Sequence, residues 1–264
     1  MYSIKETILK VEGVNLSYDK VILRDVNFEI HDVVRTEVTQ GQIVSLIGRS
    51  GIGKTQLIKV LSGLIKPSSG TVKFGLDLKD VNAGDIGIVP QNYTLFNHRT
   101  IIDNLKLGLR GSKLMISDKE KVDIISDFAN KFELTDHLKK YPMQLSGGQR
   151  QRVSIIQQIL TGNKFILLDE PFSGLDPIIK DKVVKLLLDL SHMDEMNTLL
   201  IISHDLETSM AISDTALLLS KEEGKEGATI TGKIDLMGMG LAWNPDIKKN
   251  KEFIELLDNI KNNI

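Results

Sequence analysis

The segment Gly48-Arg49-Ser50-Gly51-Ile52-Gly53-Lys54-Thr55 constrains this chain more than any other. It follows a short apolar run, Gln42 to Ile47, and leads into Lys54 to Leu64, with apolar residues at Leu57, Ile58, Leu61 and Leu64. The run reads as a strand. The 3.6-residue spacing reads as a helix, closed by Pro67 and the Ser68-Ser69-Gly70 turn. A glycine-rich turn of this form between a strand and a helix is the P-loop pattern. Glycines let backbone N–H groups turn inward around phosphate oxygens, and the helix N-terminus adds the positive end of its dipole. On this reading Gly48, Arg49, Ser50, Gly51, Ile52 and Gly53 cradle the phosphates of a nucleotide, Lys54 reaches the β- and γ-phosphates, and Thr55 gives its hydroxyl to magnesium. The alternative is a glycine-rich turn that binds nothing.

A second segment bears on that choice. Phe165-Ile166-Leu167-Leu168 is an apolar strand that ends in Asp169-Glu170, at the carboxyl edge where open α/β sheets place ligands. Asp169 would hold the magnesium, directly or through water. Glu170 would act as general base or orient the attacking water. Two acids there could instead cap a helix. Phosphoryl transfer, however, needs a metal-holding acid as well as a phosphate cradle, and the two segments together supply both. Phe165 to Leu168 and Leu199 to Ile202 are separated by a helical stretch, Ile178 to Ser191, which is the rhythm of a parallel sheet. Val11 to Val34 reads as antiparallel strands, and Asp85 to Val89 as a further strand. Ile101 to Gln158 is helical, with a lysine-rich loop over residues 111–121. Pro142 is expected to end one helix and Ser146 to cap the next. Thr215 to Leu219 pairs with Ala228 to Ile234 across a turn at 222–227, and 246–264 forms an amphipathic helix.

Composition narrows the partners. The 264 residues are 41% apolar and 26% charged, enough for a sizeable core. A net charge of -2 gives no basic field to hold nucleic acid. With no cysteine there is no disulfide framework and no thiolate metal site, and a reducing compartment fits. The N-terminus shows no basic-then-apolar signal pattern, and no apolar run is long enough to span a bilayer. Work at a membrane would require other chains to hold this one there, without direct insertion.

A third segment, Leu145-Ser146-Gly147-Gly148-Gln149, is a second glycine-rich helix start. Ser146 and the N–H groups of Gly147 and Gly148 would make a second anion site. It could also be a plain helix cap. With the P-loop and the Asp-Glu pair, this pentapeptide resembles the signature of ABC ATPases, and the resemblance extends over nearly the whole chain. It implies an α/β fold with a P-loop NTPase (RecA-like) core and a mostly parallel sheet, an N-terminal antiparallel β-subdomain and an inserted α-helical subdomain. The ABC ATP-binding domain would cover 1–264, with the helical signature subdomain near 93–160 and a C-terminal hairpin and helix extension at 221–264. It further implies ATP and Mg2+ as cofactors, and a signature (Ser146, Gly147, Gly148, Gln149) that closes over the ATP of a second subunit. Gln91 resembles the Q-loop glutamine that reaches magnesium or the attacking water. His204 resembles the switch histidine at the γ-phosphate. Ser173-Gly174-Leu175-Asp176 resembles the D-loop, with Asp176 at the dimer seam, and Tyr18 resembles the aromatic that stacks on adenine.

The implied protein is the ATP-hydrolysing subunit of a transporter. It would pair with a second copy or a closely related ATPase subunit, bind transmembrane permease subunits, and sit on the cytoplasmic face of the membrane. Asn92 to His98 would receive the permease; the alternative is that Leu95 and Phe96 tuck into the core. Asp169-Glu170-Pro171-Phe172 and Gln91 to His98 look like importers. The hairpin near Ala228 and the final helix resemble the nitrate, sulfonate and taurine group, and the tail is too short for the extra barrel of sugar-importer ATPases. Trp243 is expected to anchor the tail by packing. Three departures stand out: an insertion over 31–40, read as a lengthened hairpin; Gln56 where the family often has a hydroxyl; and Ser154 to Gln158 in place of the usual Ala-Arg-Ala stretch. A soluble ABC ATPase in a non-transport role, such as iron–sulfur assembly or lipid-trafficking support, is the second reading. A nucleotide-binding module without turnover is the third, and intact Glu170 and His204 argue against it.

Overall fold

The computed structural model describes residues 2–36, 38–111 and 117–263. Glu37 of the expected insertion and residues 112–116 of the expected lysine-rich loop lie outside the described residues. In chain order the strands are β1 (Tyr2–Ser17), β2 (Val21–Arg35), β3 (Gln42–Ile47), β4 (Ser69–Phe74), β5 (Lys79–Asp80), β6 (Gly87–Val89), β7 (Phe165–Asp169), β8 (Thr198–Ser203), β9 (Thr215–Ser220) and β10 (Thr229–Asp235). The helices are α1 (Lys54–Leu61), α2 (Ile101–Gly111), α3 (Asp118–Lys131), α4 (Gly147–Leu160), α5 (Pro177–His192), α6 (Leu206–Ala211) and α7 (Lys251–Asn263).

Continuous apolar runs become the central strands. Every residue of β3, β7 and β8 is buried, as parallel strands covered on both faces must be. They lie in a sheet of order β10-β9-β3-β8-β7-β6, parallel except for the antiparallel β9–β10 pair. A second, antiparallel sheet has the order β2-β1-β4-β5.

The two-residue period of a strand sorts its side chains to opposite faces. Leu200 and Ile202 of β8 join Leu57 and Leu61 of α1 and Leu9, Leu23 and Val26 of the antiparallel sheet in one core. Leu199 and Ile201 join Ile101 and Leu105 of α2, Val153 and Ile156 of α4, and Leu187 and Leu190 of α5 in another. Side chains like these contribute about 1.5–3 kcal/mol each when fully buried. A third cluster seats the C-terminal segment: Phe253, Leu257 and Ile260 of α7 pack with Ile47, Met210 and Leu236. The glycine loop, the Asp169-Glu170 pair and His204 therefore stand at the ends of buried strands.

Residues 31–35 lengthen the β1–β2 hairpin: they continue β2 and pair with β1 at Ile4↔Val33, Ser3↔Val34 and Tyr2↔Arg35. One local expectation is corrected. Pro142 does not end a helix. It opens a 3-10 turn, Pro142–Gln144, at the first-turn position where a missing N–H costs nothing.

Candidate nucleotide site

The glycine loop sits at the carboxyl end of β3 and starts α1. Gly53 caps the helix with φ 118°, in the left-handed region that favours glycine, and a Cβ there would meet Ile22 Cγ2 at 3.0 Å. A Cβ on Gly48 would lie 2.6 Å from the carbonyl oxygen of Leu219, so the loop can approach β9 only without a side chain. Lys54 is buried. Its Nζ donates to the carbonyl oxygens of Gly48 (2.8 Å) and Arg49 (3.1 Å) and pairs with Glu170 Oε1 at 3.0 Å.

The acids come from the end of β7, which β8 separates from β3 in the sheet. Asp169 ends β7, and Thr55 Oγ1 lies 3.5 Å from its Oδ2. Asp169 Oδ1 is buried without a hydrogen-bond partner. Burial and the neighbouring Glu170 charge push the Asp169 carboxyl up, partly opposed by Lys54 and Thr55. Glu170 follows with φ +51°, a conformation that strains a residue with a Cβ. It is held there by contacts to β8 and the loop after it. Its N–H donates to the Ile202 carbonyl oxygen (2.8 Å), and its Oε2 accepts from Ser203 Oγ (3.3 Å), from His204 N (3.3 Å) and, with the donor set by the tautomer, from His204 Nδ1 (2.7 Å).

Ser50, Gly51, Gly53, Lys54, Thr55, Gln91, Glu170 and His204 line one cleft of about 440 Å³. Gln91 Nε2 lies 3.5 Å from Ser173 Oγ at its rim. Tyr18 stands just past β1, 61% exposed, with its hydroxyl donating to Gln56 Oε1 at 3.2 Å. The Ser146 segment does not line this cleft. Ser146 caps α4: its Oγ accepts the Gln149 N–H (3.3 Å), and Gln149 Oε1 accepts the Ser146 N–H (2.9 Å). Ser146 and Gly148 line a separate groove with Lys131, Arg152, Lys182 and Lys185. Asp176 likewise caps α5, its Oδ1 accepting from Ile178 N (3.0 Å) and Ile179 N (3.1 Å). In the 92–98 loop, Tyr93 and Leu95 pack against the helical core and Phe96 is half exposed. Burial pushes the Tyr93 hydroxyl up to about 12.

A model of the family described as ABC transporter matches residues 31–173, more than half of the chain. The chain belongs to the ABC transporter family. Among its relatives, the sulfate/thiosulfate import ATP-binding protein of Pectobacterium atrosepticum is 34% identical over 81% of this chain and 64% of its own length. The chain spans less than two thirds of the length of that relative and of the next ones of the same name. A dimeric ATP-binding cassette in a post-hydrolysis state, bound to ADP and Pi, superposes with a TM-score of 0.70 at 25% identity, covering 87% of this chain and 99% of that one. The protein cbiO1 of Clostridium perfringens, part of the ABC transporter complex cbiONQ, shares the fold, with a TM-score of 0.73 at 23% identity over 97% of this chain and 100% of that one. The ABC cassette fold expected from the sequence is thus the fold of this chain.

Some cleft residues were not singled out in the sequence. Lys20 and Ile22 line the cleft from the antiparallel sheet. They carry no motif, and only the packing of the two sheets brings them there. Ser203 and Asp205 flank His204, and Asp205 Oδ2 accepts from Lys180 Nζ of α5 at 2.6 Å. Their signal was position: they stand beside a motif histidine at the end of an apolar strand.

Proposed function

We propose that this chain binds ATP and hydrolyses it as the cytoplasmic-face ATPase subunit of an ABC importer. The meeting of Lys54, Glu170 and His204 in one cleft at the glycine loop, with Asp169 behind Thr55 of its lining, carries the reading. Import is taken from the relatives named for sulfate and thiosulfate import. It does not depend on the likeness of the hairpin and tail to the nitrate, sulfonate and taurine group. Among the described residues no helix is long and apolar enough to cross a membrane, so permease subunits supply the passage.

Ser50, Gly51 and Gly53 line the cleft and present backbone N–H groups to the phosphates, whereas the Gly48 N–H is held by the Ser203 carbonyl and the Ile52 N–H by the Arg49 carbonyl; Lys54 exchanges its loop carbonyls for phosphate oxygens. Tyr18 offers its exposed ring to adenine. Magnesium fits Thr55, Asp169 and Gln91: they are oxygen donors, and Asp169 Oδ1 is buried and unpaired. When bound, the ion neutralises charge on the phosphates. Glu170 is positioned to orient water or take its proton, and His204 holds Glu170 and reaches toward the γ-phosphate. Ser146 to Gln149 and Asp176 serve the site of a second subunit, because the signature segment lies in another groove. The half-exposed Phe96 and the cavity lined by Asn92, Leu95, Asn97 and Met143 form the permease seat.

Lys54→Ala tests the reading. Charge-assisted hydrogen bonds are worth about 1.5–3 kcal/mol each, so ATP affinity falls roughly 10- to 100-fold. Unchanged ATP binding by calorimetry would overturn the assignment of the cleft.

A further inference from the structure

Ser203 sits where three parts of the cleft meet. It is fully buried at the end of β8. Its carbonyl oxygen accepts the N–H of Gly48, the first residue of the glycine loop, at 3.2 Å. Its hydroxyl touches two other groups. Ser203 Oγ accepts the Asp205 N–H at 3.0 Å and lies 3.3 Å from Glu170 Oε2. A hydroxyl carries one proton and two lone pairs. An N–H can only donate and a carboxylate only accept. The Asp205 N–H therefore occupies an oxygen lone pair, and the hydroxyl proton is directed at Glu170.

We infer that Ser203 is a positioning residue for Glu170, fixing Oε2 so that Oε1 faces the reacting water once Lys54 has moved to phosphate. This rests on the reading of Glu170 proposed above. The geometry requires such a support. Glu170 has φ +51°, and Lys54 is its only contact at Oε1 among the described residues. When Lys54 engages phosphate, the carboxylate keeps only its Oε2 contacts, to Ser203 and to His204. The His204 side chain is 47% exposed, whereas Ser203 is buried, so the hydroxyl is the side-chain contact less able to swing away. The Lys180–Asp205 pair at 2.6 Å fixes the side chain of the residue that orients the hydroxyl.

The experiment compares ATP turnover by the 264-residue chain and by its Ser203→Ala, Ser203→Cys, Ser203→Thr and Glu170→Gln variants. Ser203→Ala should lower kcat about tenfold with KM for ATP within about twofold, because the lost hydrogen bond reaches the reacting carboxylate and not the phosphates. Ser203→Thr should restore kcat to within about threefold. Ser203→Cys keeps the volume but donates weakly, so it should behave as Ser203→Ala; it is read in place of the alanine variant should that variant not fold. The inference is overturned if the alanine or cysteine variant keeps its kcat. It is equally overturned if KM rises in step with the loss and threonine does not rescue it, which is the mark of a merely structural serine. Turnover retained by Glu170→Gln sinks the assignment of Glu170 itself. Loss in Glu170→Gln alone sinks only the role of Ser203.

Discussion

Asp214 is fully buried, and both its oxygens are used. Oδ2 accepts the Ile43 N–H at 2.8 Å, Oδ1 accepts Trp243 Nε1 at 2.6 Å, and Arg35 pairs with Oδ1. One carboxylate thus joins the β2 extension, the strand that carries the glycine loop, and the C-terminal segment. The Arg35 guanidinium also lies over the Trp243 ring, 5.4 Å from its centroid. Removing one partner of a buried ion pair leaves the other charge uncompensated and costs about 3–5 kcal/mol. Asp214→Ala should lose stability of that order in urea unfolding, and a loss below about 1 kcal/mol would contradict the account. Trp243 was legible as an anchor of the tail. Its polar partner was not, because Arg35, Asp214 and Trp243 are far apart in the chain and none belongs to a motif. At Asp169 the raised carboxyl has a definite sign. The folded chain keeps that proton to higher pH than the unfolded chain, whose carboxyl titrates near about 3.9. Stability from this group is therefore fully present below the unfolded value and lost as pH rises through the folded one. Asp169→Asn should flatten that fall in urea titrations run upward from about pH 4, and an unchanged slope would assign the fall to other groups.

At the scale of elements, burial decides what a sequence shows. β3, β7 and β8 are buried throughout, so their apolar runs are readable without knowing the fold. β4 and β5 carry mostly exposed or half-exposed residues and pair only through the sheet they join, and α6 is six residues long. None of these has a periodicity of its own to read. The longer hairpin over 31–35 is legible in its β-branched residues, but its partners Tyr2 to Ile4 are not, because that pairing is a tertiary fact. The acids and the P-loop were legible as motifs. Their hold on one another, through Ser203 and through Lys54 with Glu170, depends on strand order. α7 is anchored by Phe253, which is fully buried beside Ile47, the last residue of β3. Phe253→Ala should destabilise the chain by about 3–5 kcal/mol in thermal or urea unfolding. A change under about 1 kcal/mol would mean that α7 is not part of the cooperative core.

At the scale of the molecule, the phosphate cleft and the Ser146 groove share no lining residue. On the proposed function, a two-fold, head-to-tail pair would bring each glycine loop to the partner's signature and bury two nucleotides at the seam. Driving such a pair from mostly open to mostly closed takes about 5.5 kcal/mol of differential binding, which several charge-assisted phosphate contacts can supply. In that proposal hydrolysis removes the bridging γ-phosphate, the pair reopens, and the Phe96 surface would carry that motion to the permease. The central claim is that ATP, held but not cleaved, joins two copies. It is tested most directly by sedimentation of Glu170→Gln with and without saturating ATP and Mg2+. The account predicts a dimer with ATP and a monomer without it. A Glu170→Gln chain that binds ATP yet stays monomeric at saturation would contradict it.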